Sequence, residues 1–172
     1  MKTYVDANAL IRLYLDFDGS GQARDLVTAS KVRRHWPLPM PPLLLFEVSN
    51  GLQRMVYESR SGGQWVVTPE AAAAAWYEFT THLEQATFLQ HSPLTLRELE
   101  GDVESLVACY TARHGFRTYD IIHVASARAL GCSRFLTFDA KARKLASLTW
   151  EAEDRLLGLR PDGTAAPPPT VH

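Results

Sequence analysis

The sequence predicts an α/β fold of three layers, with a central, mainly parallel β-sheet flanked by helices. One observation is that short apolar segments alternate along the chain with longer segments of helical periodicity. A second is that acidic residues stand where apolar segments meet the starts of predicted helices. The length of 172 residues fits one domain with an ordinary core.

The N-terminal half opens with a buried strand over residues 2–5. Apolar residues from Asn8 to Leu15 then recur at helical spacing. Ser20 is a plausible N-cap for a helix that continues to about Arg34. Residues 38–40 are predicted to be extended, and the following double proline is predicted to open a helix that ends near Ser59, because proline is tolerated in a first turn.

Beyond residue 59, three threonines can cap helices. The predicted elements in order are a helix capped by Thr68, a strand over 87–89, a helix from Thr95 to Gly115, a helix from Thr118 to Gly131, a strand over 135–138 and a helix from about Ala140. The folded domain is predicted to cover residues 1–159. Residues 160–172 are rich in proline and are predicted to form a disordered tail.

Composition narrows the possible functions. Hydrophobic residues make up 46% and charged residues 22%, which is typical of a globular protein, and the net charge of −1 argues against a protein that coats nucleic acid through bulk charge. We expect a cytoplasmic protein, since no apolar run approaches a membrane span and the first residues lack the apolar region of a signal peptide. Cys109 and Cys132 form no metal-binding spacing and are predicted to be small core residues.

Four acidic residues are the candidate functional residues: Asp6, Glu47, Asp120 and Asp139. In a parallel sheet, ligands bind at the carboxyl ends of the strands beside helix N-termini, so these carboxylates are expected to converge there. Carboxylate oxygens are the ligands that Mg²⁺ and Mn²⁺ prefer. The alternative for any one aspartate is a helix N-cap or turn residue, which such positions also favour.

The motifs around these residues resemble those of the PIN-domain ribonucleases, and most closely the VapC-type toxins of prokaryotic toxin–antitoxin pairs. The segments that carry the resemblance are residues 4–10, 46–48, 119–125 and 136–139. The resemblance covers about residues 1 to 148. It implies an endoribonuclease that depends on one or two Mg²⁺ or Mn²⁺ ions and has a parallel sheet flanked by helices.

The resemblance also assigns roles. Asp6, Glu47 and Asp120 match the three acidic residues that hold the metal, and Asp139 matches a fourth, more variable one. Asn8 and Thr137 match polar positions near the site whose side chains orient the metal-bound water or the metal ligands. Two departures stand out: His123 replaces a residue that is more often tyrosine or apolar, and no second acidic residue follows Asp139. The i, i+3 spacing from Asp120 could turn His123 toward the site, although a structural or exposed histidine is the alternative.

The expected partners are RNA, a VapB-type antitoxin and a second copy of the chain. Arg12, Arg117, Lys141 and Arg143 flank the acidic motifs and could contact phosphates, although a solvated helix face is the alternative for each. The resemblance implies the antitoxin and a homodimer. An RNA-processing nuclease without an antitoxin and a non-catalytic binding module remain open. Asn8 argues against a haloacid-dehalogenase-type phosphatase, and Glu47 after a double proline argues against a response-regulator receiver.

Overall fold

Parallel strand pairs organise both parts of the chain. The computed structural model describes residues 2–16, 21–63 and 65–150. The chain divides into a first unit, made of Met1–Asp6 and Pro93–His172, and a second unit, Ala7–Ser92. The predicted domain boundary at residue 159 and the predicted tail both lie outside the described residues.

In the first unit, strand β1 (Lys2–Val5) pairs in parallel with strand β4 (Cys132–Leu136). Tyr4 lies opposite Phe135, and their rings stack with centroids 5.4 Å apart. Both side chains are fully buried. Parallel strands cannot be joined by a tight turn, so a long connection, most of it helical, links β1 to β4.

The helices of the first unit cover this pair and one another. They are α6 (Leu96–Leu106), α7 (Ala112–His114), α8 (Thr118–Ala129) and α9 (Ala140–Thr149), with a π-helical turn over Val107–Thr111. Helix α8 packs against α6, α9 and β4 and contributes a nearly continuous buried segment. The first unit therefore buries the helix that carries the motif around Asp120.

The second unit contains the parallel pair of β2 (Leu38–Met40) and β3 (Leu89–His91). Its helices are α1 (Ala7–Leu15), α2 (Gln22–Thr28), α3 (Ser30–Arg33), α4 (Pro42–Arg60) and α5 (Pro69–Glu84). Helix α4 buries a stripe at four-residue spacing, Leu44, Val48, Leu52 and Val56. This stripe is the core face expected of a helix that packs against α1 and α5.

The predicted α/β class, with parallel strands flanked by helices, is confirmed. Several local predictions are also confirmed, because local chemistry sets them. Thr68 caps α5 by accepting a hydrogen bond from the Ala71 N–H, and Thr95 forms a capping box with Glu98 at the start of α6. Gly115 and Gly131 both adopt positive φ angles, 64° and 66°, after helices, as the sequence predicts.

Other boundaries differ from the prediction. The helix expected over 20–34 is two helices, α2 and α3, because Ala29 between them has an extended ψ of 140°. Gly21 occupies the N-cap of α2, and the predicted cap, Ser20, lies outside the described residues. The strand expected over 87–89 is β3, two residues later, and the strand expected over 135–138 is β4, which ends at Leu136. The long helix to Gly115 is interrupted by the π-helical turn.

The prediction that both cysteines are core residues holds for one of them. Cys109 is exposed on the π-helical turn, so its prediction is wrong, whereas Cys132 is buried at the start of β4, as predicted.

Candidate functional site

Asp6 is the best-defined residue of the candidate site. It follows β1, its backbone N–H donates a 2.9 Å hydrogen bond to the Leu136 carbonyl, and only 6% of its surface is exposed. Because Val5 lies opposite Leu136, the next residues on the two strands, Asp6 and Thr137, are neighbours. The Thr137 hydroxyl donates a 2.6 Å hydrogen bond to Asp6 Oδ2. The register of one parallel pair therefore fixes a buried carboxylate.

Thr137 also connects Asp6 to Asp139. The Asp139 backbone N–H donates to Thr137 Oγ1 at 2.9 Å, so the hydroxyl accepts one hydrogen bond and donates another. This orientation leaves the hydroxyl proton directed at the carboxylate, and charge-assisted hydrogen bonds of this kind are short and strong. Thr137, which is fully buried, thus holds the Asp6 carboxylate in one orientation, and its role in supporting a metal site stays a prediction.

Asp139 is the N-cap of α9. Its Oδ1 accepts hydrogen bonds from the backbone N–H groups of Lys141, at 2.6 Å, and Ala142, at 3.0 Å. The N-cap alternative raised by the sequence is therefore what this carboxylate does in the structure. Its assignment as a fourth metal ligand stays a prediction.

Asp120 lies in the first turn of α8 and is 9% exposed. Its Oδ2 accepts the backbone N–H of Arg117 at 3.0 Å, so this bond fixes the start of the helix. The predicted cap, Thr118, is instead the first helical residue, and Arg117 occupies the N-cap position.

His123, one turn after Asp120, is buried beside Asp6. Its Nδ1 is 2.8 Å from the Tyr4 hydroxyl, its Nε2 is 3.9 Å from Asp6 Oδ1, and 4% of the residue is exposed. The i, i+3 spacing from Asp120 was the sequence signal for this placement. The partner that holds the ring, Tyr4, lies 119 residues away in sequence, so the sequence could not show it.

The remaining polar candidates, Glu47, Asn8 and Arg12, belong to the second unit. Glu47 is half-buried on α4, five residues after Pro42 opens that helix. Asn8 and Arg12 lie one turn apart on α1, and both are half-buried. Their predicted roles stay predictions.

Basic residues cluster around the loop that precedes α8. Lys141 Nζ donates to the Gly115 carbonyl at 3.2 Å, and Arg117 is exposed. Burial lowers the pKa of His114, and the positive charges of Lys144 and Arg113 lower it further, which places those two cations near the same loop.

Arg143 differs from these exposed cations. Its Nε and Nη2 atoms are buried, and neither has a hydrogen-bond partner in the described part of the chain. Burial lowers the pKa of this guanidinium, and the charge of Asp139 partly offsets that effect. Arg117 and Lys141 are accordingly better placed to meet a phosphate than Arg143.

Comparison with known proteins identifies one family. The model of a family described as PIN domain matches residues 3–148. Among curated proteins, none matches the chain. Each helix in the described ranges is too short or too polar to cross a membrane.

Proposed function

Since the chain belongs to the PIN-domain family, whose members are generally nucleases, we propose that it is a divalent-metal-dependent endoribonuclease. We further propose that it is the VapC-type toxin of a toxin–antitoxin pair and acts in the cytoplasm, where RNA is its substrate. The observation that carries the nuclease proposal is the buried Asp6 carboxylate, held by Thr137 and lying beside His123 at the end of a parallel strand pair.

The donor chemistry fits a divalent cation. A lone carboxylate is costly to bury unless it is paired, hydrogen-bonded or bound to a metal. Asp6 and Asp120 supply carboxylate oxygens, and both are largely buried. Mg²⁺ is held by one or two protein carboxylates together with waters, and Mn²⁺ accepts the same donors.

We assign metal binding to Asp6, Glu47 and Asp120, with Asp139 as a further ligand. The assignment of Glu47 and Asp139 rests on their positions in the family motifs. A bound cation would activate the attacking water and offset charge on the phosphate of the transition state. Thr137 holds Asp6 in one orientation, and Asn8 is assigned a supporting role beside the ligands.

RNA binding is assigned to the basic residues near α8 and α9. Arg117 and Lys141 are exposed next to the helix starts that carry Asp120 and Asp139. Cations at these positions would hold the RNA backbone without reading its sequence. Arg12 and Arg143 are retained as weaker candidates because they are half-buried.

A protein partner is supported by exposed aromatic residues of the second unit. Phe46 and Tyr57 on α4 are 70% and 71% exposed, and Tyr77 on α5 is 73% exposed. Large exposed aromatic side chains are common anchors of protein interfaces. We assign such contacts to a VapB-type antitoxin or to a second copy in a homodimer.

The test is cleavage of total cellular RNA by the purified chain with Mg²⁺, with Mn²⁺ and with EDTA. We expect metal-dependent cleavage that Asp6→Asn abolishes while the circular dichroism spectrum is unchanged. Asp25→Asn, which makes the same change at an exposed carboxylate of α2 outside the proposed ligand set, is the matched control and should retain cleavage. Full activity in a folded Asp6→Asn protein would refute the assignment. Purification with the product of an adjacent small gene would test the antitoxin.

A further inference from the structure

The two ring nitrogens of His123 face different groups. Nδ1 is hydrogen-bonded to the Tyr4 hydroxyl at 2.8 Å, and Nε2 lies 3.9 Å from Asp6 Oδ1. That separation is too long for a hydrogen bond. Two ligand atoms each about 2.0–2.2 Å from one ion lie roughly 3–4 Å apart, depending on the angle at the ion. The distance between Nε2 and Oδ1 therefore suits two ligands of one cation.

Tyr4 fixes the ring in a suitable orientation. Its side chain is fully buried and stacks on Phe135, so the hydroxyl has little freedom to move. A metal-binding histidine generally donates its other ring N–H to an oxygen, which fixes the tautomer. In the tautomer in which Nδ1–H donates a hydrogen bond to the Tyr4 hydroxyl, Nε2 carries a lone pair that is directed toward the Asp6 side.

We propose that His123 is a nitrogen ligand of the metal site and makes that site prefer Mn²⁺ to Mg²⁺. This inference rests on the proposed metal-dependent function. Mg²⁺ is a hard ion that binds oxygen almost exclusively, whereas imidazole is a better ligand for first-row transition metals. One nitrogen among oxygen ligands therefore shifts selectivity without preventing the binding of either ion.

The experiment uses Mn²⁺ as a paramagnetic probe of the full-length chain. Mn²⁺ binding is titrated by electron paramagnetic resonance, alone and against Mg²⁺, and electron spin echo envelope modulation reports whether a nitrogen is bound to the ion. We expect nitrogen modulation in the wild type and its loss in His123→Asn. We also expect Mn²⁺ affinity to fall about 10- to 100-fold in Tyr4→Phe, as for other partners of metal-bound histidines.

His82→Asn is the matched control. His82 Nδ1 is also hydrogen-bonded to a tyrosine hydroxyl, that of Tyr14 at 2.9 Å, but both residues belong to the second unit, whereas Asp6 and His123 belong to the first. This variant should keep the nitrogen modulation and the preference for Mn²⁺.

The outcomes separate this inference from the proposed function. Bound Mn²⁺ without nitrogen modulation in the wild type would overturn the role of His123 alone and leave an all-oxygen metal site. Absence of Mn²⁺ binding would overturn both the inference and the metal dependence. The wild-type spectrum decides the question even if His123→Asn fails to fold.

Discussion

Replacing Thr137 with valine tests whether its hydroxyl organises the candidate site. Valine has nearly the same shape, so the change removes one oxygen from a fully buried position. It deletes the 2.6 Å hydrogen bond to Asp6 Oδ2 and the 2.9 Å hydrogen bond from the Asp139 N–H. A hydrogen bond to a charged group contributes about 1.5–3 kcal/mol, and an unsatisfied buried donor costs about 1–3 kcal/mol. Since Asp139 is half-buried, we expect a total loss of about 3 kcal/mol.

Urea unfolding at pH 7 measures this loss. With an m-value of about 2 kcal/mol/M, the midpoint should fall by about 1.5 M in Thr137→Val. Thr137→Ser is the matched control, because it keeps the hydroxyl and loses one buried methyl group at a cost of about 1 kcal/mol. A valine variant as stable as the serine variant, with an unchanged m-value, would refute the reasoning.

A double-mutant cycle isolates the part that belongs to Asp6. In an Asp6→Ala background the hydroxyl has no carboxylate to bind, so Thr137→Val should cost about 1.5–3 kcal/mol less than in the wild type. Equal costs in both backgrounds would show that the hydroxyl stabilises the fold without acting on Asp6.

Two further predictions concern titratable groups of the first unit. Burial raises the pKa of the Cys132 thiol to about 11, whereas Cys109 is exposed. A thiol reagent at pH 8 should therefore modify Cys109 rapidly and Cys132 only after unfolding in urea. Rapid modification of both cysteines in the folded protein would contradict this. Hydrogen bonds from the Thr95 hydroxyl and backbone N–H lower the pKa of Glu98 below its usual 4.5. The carboxylate therefore stabilises the fold above about pH 4.5 and loses this contribution as the pH falls through the lowered pKa. The difference in unfolding free energy between the wild type and Glu98→Gln, measured by urea unfolding, should be constant from pH 7 to 5.5 and shrink toward pH 3. A difference that does not change with pH would contradict this role of the Glu98 carboxylate.

Local chemistry explains which elements the sequence predicts well. Thr68 and Thr95 cap their helices because each hydroxyl binds a backbone N–H three residues later, a relation contained within one turn. The start of α8 is also local, but a competing bond decides it. The Asp120 carboxylate binds the Arg117 N–H, so the helix begins one residue earlier than a threonine cap would allow.

Long-range contacts explain what the sequence does not predict. The limits of β4 depend on its register with β1, and Thr3 pairs with Arg134, more than a hundred residues later. The sequence names Asp6, Thr137 and His123 as candidates. The Asp6–Thr137 hydrogen bond forms only when β1 pairs with β4, and the His123–Tyr4 hydrogen bond only when α8 packs beside β1. Motif positions thus name the candidate residues, and the tertiary structure determines which of these residues are hydrogen-bonded to one another.

The pairing of β1 with β4 has a consequence for synthesis on the ribosome. Residues 7–92 form one contiguous unit, so all of its strands and helices leave the ribosome before the partner of β1 is made. Strand β1 has no β4 to pair with until Cys132–Leu136 emerges, and Asp6 lacks its threonine until residue 137 follows. The nascent chain therefore carries its acidic residues without the arrangement that makes them a site. On the proposed function, this order of synthesis would keep the nuclease site incomplete until residue 137 has emerged.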